Sequence, residues 1–334
     1  MATFPIDGFR NHAETRPNSP ALRDGRSEIT YRGLQTRADA VSSTLRAHGV
    51  VAGDRVALGL EPGGDLIAAM IGILQLGAAY VPVDPRAPKR RNRMILQDCA
   101  PRLALLDRGV EAGTDGVCPV INPMDATDAI GSAVDRPQAA WTAETTAYVI
   151  YTSGTTGRPK GVPVSHGSMR ALFAATETAF HFGPDDRGVL YHSHAFDFSV
   201  WEIWSMLAYG GCLCIPDYRQ KTTASEFADF LAVHRITVLN QTPSSFGLNA
   251  PEIVALGAEK TALRVVVFGG ERLNMALLQS WVEAFPLDRV AMINMYGITE
   301  TTVHSSCYRV RRTDLNRTDS PIGQMLPGFQ TRLR

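Results

Sequence analysis

The sequence predicts a parallel α/β fold, on three observations. Short apolar runs of strand length alternate with segments at helical spacing. Three apolar runs in the second half break abruptly into glycine- and hydroxyl-rich turns. Of the 334 residues, 45% are hydrophobic, enough to bury a large core and more than one compact unit.

The elements follow in order. Leu34, Ala38, Val41 and Leu45 recur at helical spacing between Thr30 and Gly49, which predicts an amphipathic helix stopping at the glycine. Strands are predicted at Arg55 to Leu60, Ala79 to Val83 and Leu103 to Leu106, with a helix at Asp65 to Leu76 between the first two. Residues 108–144 are rich in Gly, Pro, Asp and Thr and read as a surface excursion. Further strands are expected to end near Asn240, Phe268 and Asn294, breaking into QTPSS, GGERL and MYGITE. In open α/β sheets ligands sit beyond the carboxyl ends of strands, so these three ends should converge on one site. Each alone also fits a routine turn.

Composition narrows the function classes. Thirty-three basic and 33 acidic residues balance to zero, which argues against a nucleic-acid or anionic-membrane partner and for a small substrate. The longest apolar helical stretch, near Leu66 to Leu76, is too short to span a bilayer. MATFPIDGFR has no hydrophobic signal region, so a cytoplasmic location is expected. Of the five cysteines only Cys212 and Cys214 are close. Their spacing places them on one face of a strand rather than in a metal motif.

The segment from Tyr148 to His166, YVIYTSGTTGRPKGVPVSH, carries the strongest chemical signal. An apolar strand runs into Thr152, Ser153, Gly154, Thr155, Thr156 and Gly157 and then reaches Lys160. The glycines allow amide N–H groups to turn onto phosphate oxygens, the hydroxyls add donors, and the lysine adds charge. It is not a standard P-loop, because Pro159 precedes the lysine and Gly161 follows it. A polar surface loop remains the plainer alternative.

YTSGTTGRPKG resembles the signature loop of the adenylate-forming (ANL) superfamily. GAAYVPVDP (Gly77 to Pro85), FDFSVW (Phe196 to Trp201), GGERL (Gly269 to Leu273) and NMYGITE (Asn294 to Glu300) match further motifs in the expected order. AYVPVDP and FDFSVWE resemble the amino-acid-activating branch, the adenylation domains of nonribosomal peptide synthetases. The resemblance implies an N-terminal core of two packed, mostly parallel sheets flanked by helices. It further implies a phosphate-loop half at about 55–190, an amino-acid and adenine half at about 191–310, and the start of a distal barrel at 311–334. Family members continue past SPIG (Ser320 to Gly323) into the rest of a barrel and a small C-terminal domain with a catalytic lysine. The chain stops at Arg334, so it is expected to be a truncated core, binding substrates but impaired in turnover.

The resemblance also assigns roles. Thr152 to Gly157 and Lys160 would hold the leaving phosphates of ATP, Thr299 would touch the α-phosphate and Glu300 would bind Mg²⁺. Tyr296 would stack on adenine and Asn294 would read its amino edge, with Gly270, Glu271, Arg272, Met295 and Gly297 around the nucleotide. Joining a carboxylate to a phosphate brings two anions together, so cations and oriented N–H groups should dominate catalysis. Ile298 stands where the family usually has proline.

Asp197, Phe198, Trp201, Asn240, Val267, Gly269, Met295, Val303 and His304 occupy the family's specificity positions and resemble a threonine code. Asp197 would bind the α-ammonium. Ser199 and Glu202 form a capping-box pattern, which would leave Asp197 available for that role. Asn240 and His304 would bond a β-hydroxyl, and Val267 and Val303 would contact a methyl group. As a plain alternative, Asn240 and His304 are a satisfied core pair. His192 and His194 suggest packing or gating rather than acid–base chemistry. The full system would transfer the aminoacyl group to phosphopantetheine on a carrier domain, with an MbtH-like protein as a further family partner. An acyl- or aryl-CoA ligase core, or a module that only binds ligand, are the competing readings.

Overall fold

The computed structural model describes residues 3–25, 27–123, 141–153, 157–330 and 332. The described elements open with α1 (Pro5–Thr15), β1 (Pro20–Arg23), β2 (Glu28–Thr30) and α2 (Tyr31–Ala47). Next come β3 (Arg55–Gly59), α3 (Gly64–Gln75), β4 (Ala79–Pro82), α4 (Lys89–Cys99), β5 (Leu103–Leu106) and β6 (Val120–Ile121). An antiparallel pair, β7 (Thr146–Ser153) and β8 (Pro159–Ser165), leads into α5 (His166–Phe180). Then follow β9 (Arg187–Val189), α6 (Phe198–Leu207), β10 (Cys212–Cys214), α7 (Tyr218–Thr222), α8 (Ala224–Val233), β11 (Val238–Gln241) and α9 (Pro243–Leu256). The last are β12 (Val265–Phe268), α10 (Gln279–Ala284), β13 (Ala291–Tyr296), β14 (Ser306–Arg309) and β15 (Gln324–Met325).

Among the described residues these strands make two sheets, ordered β15-β14-β13-β12-β11-β9-β10-β1-β2 and β6-β5-β3-β4-β7-β8. Each is mostly parallel with an antiparallel edge, formed by β13–β14–β15 in one and β7–β8 in the other. Neither sheet closes on itself. The expected α/β class with two mostly parallel sheets therefore holds.

Contacts divide the chain into two compact units: Met1–Ser19, Ile29–Arg170 and Ser193–Asp197 form one, and Pro20–Glu28, Ala171–His192 and Phe198–Arg334 the other. Residues 171–192, on the near side of the expected division at about 190, cluster with the second unit. Phe173, Phe180 and Phe182 pack on Trp201 of α6, and β9 pairs with β10 and β11, so this stretch belongs to the second unit. Residues 311–334 likewise contribute β15 to that unit's sheet.

Local chemistry explains the element ends. Thr30 Oγ1 accepts from Gly33 N–H at 3.1 Å and caps α2, and Gly49 beyond its other end adopts φ +76°. Within the expected surface excursion, Val120 and Ile121 (β6) add to the sheet parallel to β5. Cys212 and Cys214 lie on a buried strand as free thiols. No helix among the described residues is long and apolar enough to cross a membrane.

Candidate functional site

In the first unit, the site residues are sorted by the pleat of β7 and β8. Thr152 pairs with Lys160, Tyr151 with Gly161 and Ser153 with Pro159. Paired residues share a face and neighbours alternate. Tyr148, Ile150, Thr152 and Lys160 therefore lie on one face, and Val149, Tyr151, Ser153 and Gly161 on the other. The second face packs on α4: Val149 and Tyr151 join the core of Ile95, Leu96 and Cys99. Tyr151 O–H donates to Asp98 Oδ2 at 2.5 Å, and Arg91 Nη2 donates to Tyr151 O at 3.3 Å. The base of the loop is thereby anchored. An ideal Cβ at Gly161 would sit 2.8 Å from Tyr151 Cζ, so this glycine serves packing. Gly157 adopts φ +75°, the left-handed conformation glycine allows. Lys160 and Ser153 are exposed. Gly154, Thr155 and Thr156 lie outside the described residues.

Asp197 is buried at 5% exposure. Burial pushes the Tyr148 phenol well above its ordinary pKa, with Tyr80 and then Asp197 adding to the effect. The expected capping box is not formed. α6 begins at Phe198, so Ser199 lies inside the helix and Asp197 directly precedes it. The Glu202 carboxylate instead accepts from His192 N at 3.1 Å and from Nδ1 at 2.8 Å. A buried carboxylate takes the nearest pair of donors, here on the preceding strand connection.

In the second unit, those of the expected specificity positions that lie on or next to the strands, Asn240, Val267, Gly269 and Met295, fall on one sheet face. Leu239 of β11, Val266 and Phe268 of β12 and Met292 of β13 enter a hydrophobic core on one side. By alternation, Asn240, Val267 and Met295 face the other side, with Gly269 continuing the β12 row. Asn240 stands beside Val267, and Val267 beside Ile293. Trp201 Nε1–H donates to Asn240 Oδ1 at 3.0 Å. His304 meets Phe198 and Trp201 edge-on, each at 5.2 Å between ring centroids. An ideal Cβ at Gly269 would lie 3.0 Å from His304 Cε1 and 3.3 Å from Phe198. Phe198, Trp201, Asn240, Gly269 and His304 thus converge. Asn240 Nδ2 and His304 Nε2 are buried there with no partner among the described residues, so they are not the satisfied core pair of the plainer reading. Burial pushes the His304 imidazole down to about 3, leaving it neutral.

The turn after β13 carries strain. Thr302 and Val303 adopt φ +64° and +63°, and His304 N–H bonds Thr302 O at 2.7 Å, a tight γ-turn around a β-branched residue. This presents the buried side chains of Val303 and His304 together. Tyr296 is 50% exposed, so core packing does not explain it. Asn294 Nδ2 donates to Pro321 O at 2.8 Å, which leaves its carbonyl oxygen to accept from an amino group. Gly270 takes φ +80°. Glu271 accepts from Ser244 N–H at 3.0 Å and Ser244 O–H at 2.5 Å at the start of α9, and Arg272 Nη2 donates to Thr318 O at 2.9 Å. Thr299 and Glu300 form a short 3₁₀ turn with Glu300 exposed.

Sequence reasoning missed the clamp on Trp201. Phe173 stacks on it at 5.4 Å, while Phe180 and Phe182 meet it edge-on at 5.1 and 5.5 Å. The seven-residue spacing of Phe173 and Phe180 on one helix face was the available signal. His192 stacks on Phe198 at 4.6 Å, and His194 Nε2 lies 3.2 Å from Leu58 O.

Comparison with known proteins agrees with this architecture. The family described as "AMP-binding enzyme" matches residues 9–334, and the chain belongs to it. It is 38% identical to syringomycin synthase SyrB1 of Pseudomonas syringae pv. syringae over 97% of its own length and 53% of that protein's. It is 36% identical to a dimodular nonribosomal peptide synthase of Bacillus subtilis over 96% of its length and 14% of that protein's. The chain therefore spans about half or less of these relatives. Among solved structures, the nonribosomal peptide synthetase FmoA3 in an AMPPNP-bound form superposes with a TM-score of 0.88 at 26% identity, covering 97% of this chain and 34% of that one. The N-terminal subdomain of Klebsiella oxytoca NpsA, in complex with 3-hydroxybenzoyl-AMSN, superposes at 0.83 and 25% identity, covering 98% and 81%.

Proposed function

We propose that this chain binds ATP and an amino acid, L-threonine, as the substrate-binding core of an enzyme that joins them into aminoacyl-AMP with release of pyrophosphate, for transfer to a carrier-bound phosphopantetheine in nonribosomal peptide synthesis. The substrate carboxylate attacks the α-phosphorus, one P–O bond forms, and pyrophosphate leaves with the pair from the bond that breaks. Thr152 to Gly157 with Lys160 hold the departing phosphates, Thr299 touches the α-phosphate, and Tyr296 offers its exposed ring to adenine. The Asn294 carbonyl accepts from the adenine amino group, and the main chain from Gly270 to Arg272 borders the nucleotide.

Glu300 fits Mg²⁺. Among the described residues no group of three or more His, Cys, Asp or Glu could hold a metal. A single exposed carboxylate suits an ion that takes its other ligands from substrate phosphates and water. Glu300 would hold the ion, which would supply positive charge beside the phosphates.

The observation that carries the threonine reading is the pair of buried polar atoms, Asn240 Nδ2 and His304 Nε2, unpartnered among the described residues beside Phe198 and Trp201. A hydroxyl both donates and accepts, so it satisfies a neutral imidazole and an amide N–H together. Valine would leave both unpaired, a penalty of about 10⁴ in favourable cases, whereas serine lacks only a methyl group worth about 1–3 kcal/mol. The test is calorimetric binding of a non-hydrolysable threonyl-adenylate analogue against valyl, seryl and salicyl versions. Threonyl should lead, with seryl second. Equal binding of all four would defeat the assignment. A salicyl preference would favour the aryl-acid ligase reading, which the aryl ligand on the NpsA neighbour makes the specific alternative.

A further inference from the structure

Where Phe198, Trp201, Asn240 and His304 converge, a hydrogen bond between two protein side chains sets which polar atom is presented. An indole nitrogen only donates. Trp201 Nε1–H points at Asn240, so the Asn240 carbonyl oxygen turns to it, at 3.0 Å, and Nδ2 turns away. The two orientations of an amide have nearly the same shape, so packing alone scarcely chooses between them. The indole N–H does choose, because the flipped amide would oppose one donor with another. Trp201 is itself held: it is fully buried, with Phe173 stacked on it and Phe180 and Phe182 edge-on. All five residues belong to the second unit.

We propose that Trp201 is a positioning residue for side-chain selectivity. By holding the Asn240 carbonyl it obliges the pocket to present an N–H donor. Discrimination of hydroxyl from methyl then depends on the indole N–H and not only on the indole's bulk. The inference rests on reading this pocket as the site of the substrate side chain. With the N–H in place, a threonine hydroxyl accepts from Asn240 Nδ2 and engages the neutral His304. Without it the amide turns freely, and the hydroxyl must select one of two orientations on binding. Threonyl binding weakens, while valyl binding, which uses neither orientation, stays the same.

The test removes the N–H while keeping the ring. 3-Benzothienylalanine at position 201 replaces N–H by sulfur with little change in shape, and Trp201→Phe is the genetic counterpart should the analogue not be incorporated. The probes are non-hydrolysable threonyl- and valyl-adenylate analogues, with AMP alone as control. The threonyl-over-valyl ratio should fall about tenfold through threonyl affinity, as expected for loss of one oriented hydrogen bond, with AMP binding unchanged. A ratio that the sulfur analogue leaves intact, in a protein that otherwise prefers threonyl, overturns this inference alone. Equal threonyl and valyl binding by the unmodified protein overturns the side-chain-site reading and the selectivity claim with it. Separately, the ¹⁵N-indole resonance of Trp201 should move on Asn240→Leu. A resonance left in place overturns the hydrogen bond itself.

Discussion

At Gly297 one methyl group decides whether the NMYGITE turn can close. An ideal Cβ there would lie 2.2 Å from Val303 O and 2.6 Å from His304 Cα, backbone atoms that cannot move aside cheaply. Gly297→Ala should destabilise the protein by about 2–4 kcal/mol, and it should displace Val303 and His304, two of the proposed specificity positions. Urea denaturation with analogue binding checks both, and unchanged stability would show that the turn yields easily. Gly269→Ala is the milder counterpart. Its Cβ would press on His304 Cε1 at 3.0 Å and Phe198 at 3.3 Å, so the pocket shrinks while the sheet persists. Threonyl-adenylate affinity should fall about tenfold with stability changed by less than about 1 kcal/mol. An affinity within twofold of the parent would place the substrate elsewhere. At Asp197, Asp→Ala should weaken an aminoacyl analogue strongly and a des-amino analogue little, since only the ammonium gains a charge-assisted bond. Equal weakening of both would mean that the carboxylate serves the start of α6 instead.

Among the elements, β7 and β8 show what a sequence reveals and what it hides. A continuous apolar run made β7 visible and the glycine-hydroxyl run marked its end, but β8 was not foreseen as an antiparallel partner because Pro159, Gly161 and Pro163 weaken a strand signal. Gly161 has a tertiary reason, the Tyr151 ring above it, which no local pattern records. The strands β3, β4, β5, β11, β12 and β13 were legible because buried parallel strands are continuous apolar runs. Helix α2 was legible through its 3.6 period and its terminal Gly49. The start of α6 was misread. Ser199 and Glu202 have capping spacing, yet Glu202 is drawn to His192, a partner ten residues earlier that spacing rules cannot weigh. Family motifs nominated the candidate site residues. Which sheet face each takes, and which polar atoms remain unpartnered, came only from the structure. Gly161→Ala should push Tyr151 off Asp98 and lower stability by about 1–3 kcal/mol. Amide hydrogen exchange should localise the loss to β7 and β8, and uniform loss across both sheets would contradict the local packing argument.

For the molecule as a whole, buried histidines set the response to acid. Burial lowers His166 of the first unit to about 4, with a smaller contribution from Arg10, and His304 of the second to about 3. It also lowers His234, with Arg23 and Arg187 adding to the effect. Each is favoured neutral in the folded state relative to its ordinary 6.5. Below pH 6.5 the unfolded chain takes up protons that the folded chain does not, so stability falls as pH drops. The contribution is complete above 6.5 and disappears progressively as pH falls through that value towards about 4 for His166 and about 3 for His304. Urea midpoints measured between about pH 7.5 and 4.5 should therefore decline with acid, and His166→Gln with His304→Gln should flatten the decline. A midpoint independent of pH, or a slope unchanged in the double variant, would assign acid sensitivity to other groups. Selectivity should behave differently over the same range. His304 keeps one charge state from about pH 5 to 8, so the threonyl-over-valyl ratio should stay constant while stability does not. A ratio that collapses near pH 6.5 would mean that His304 titrates as an exposed imidazole and that the pocket is open to water.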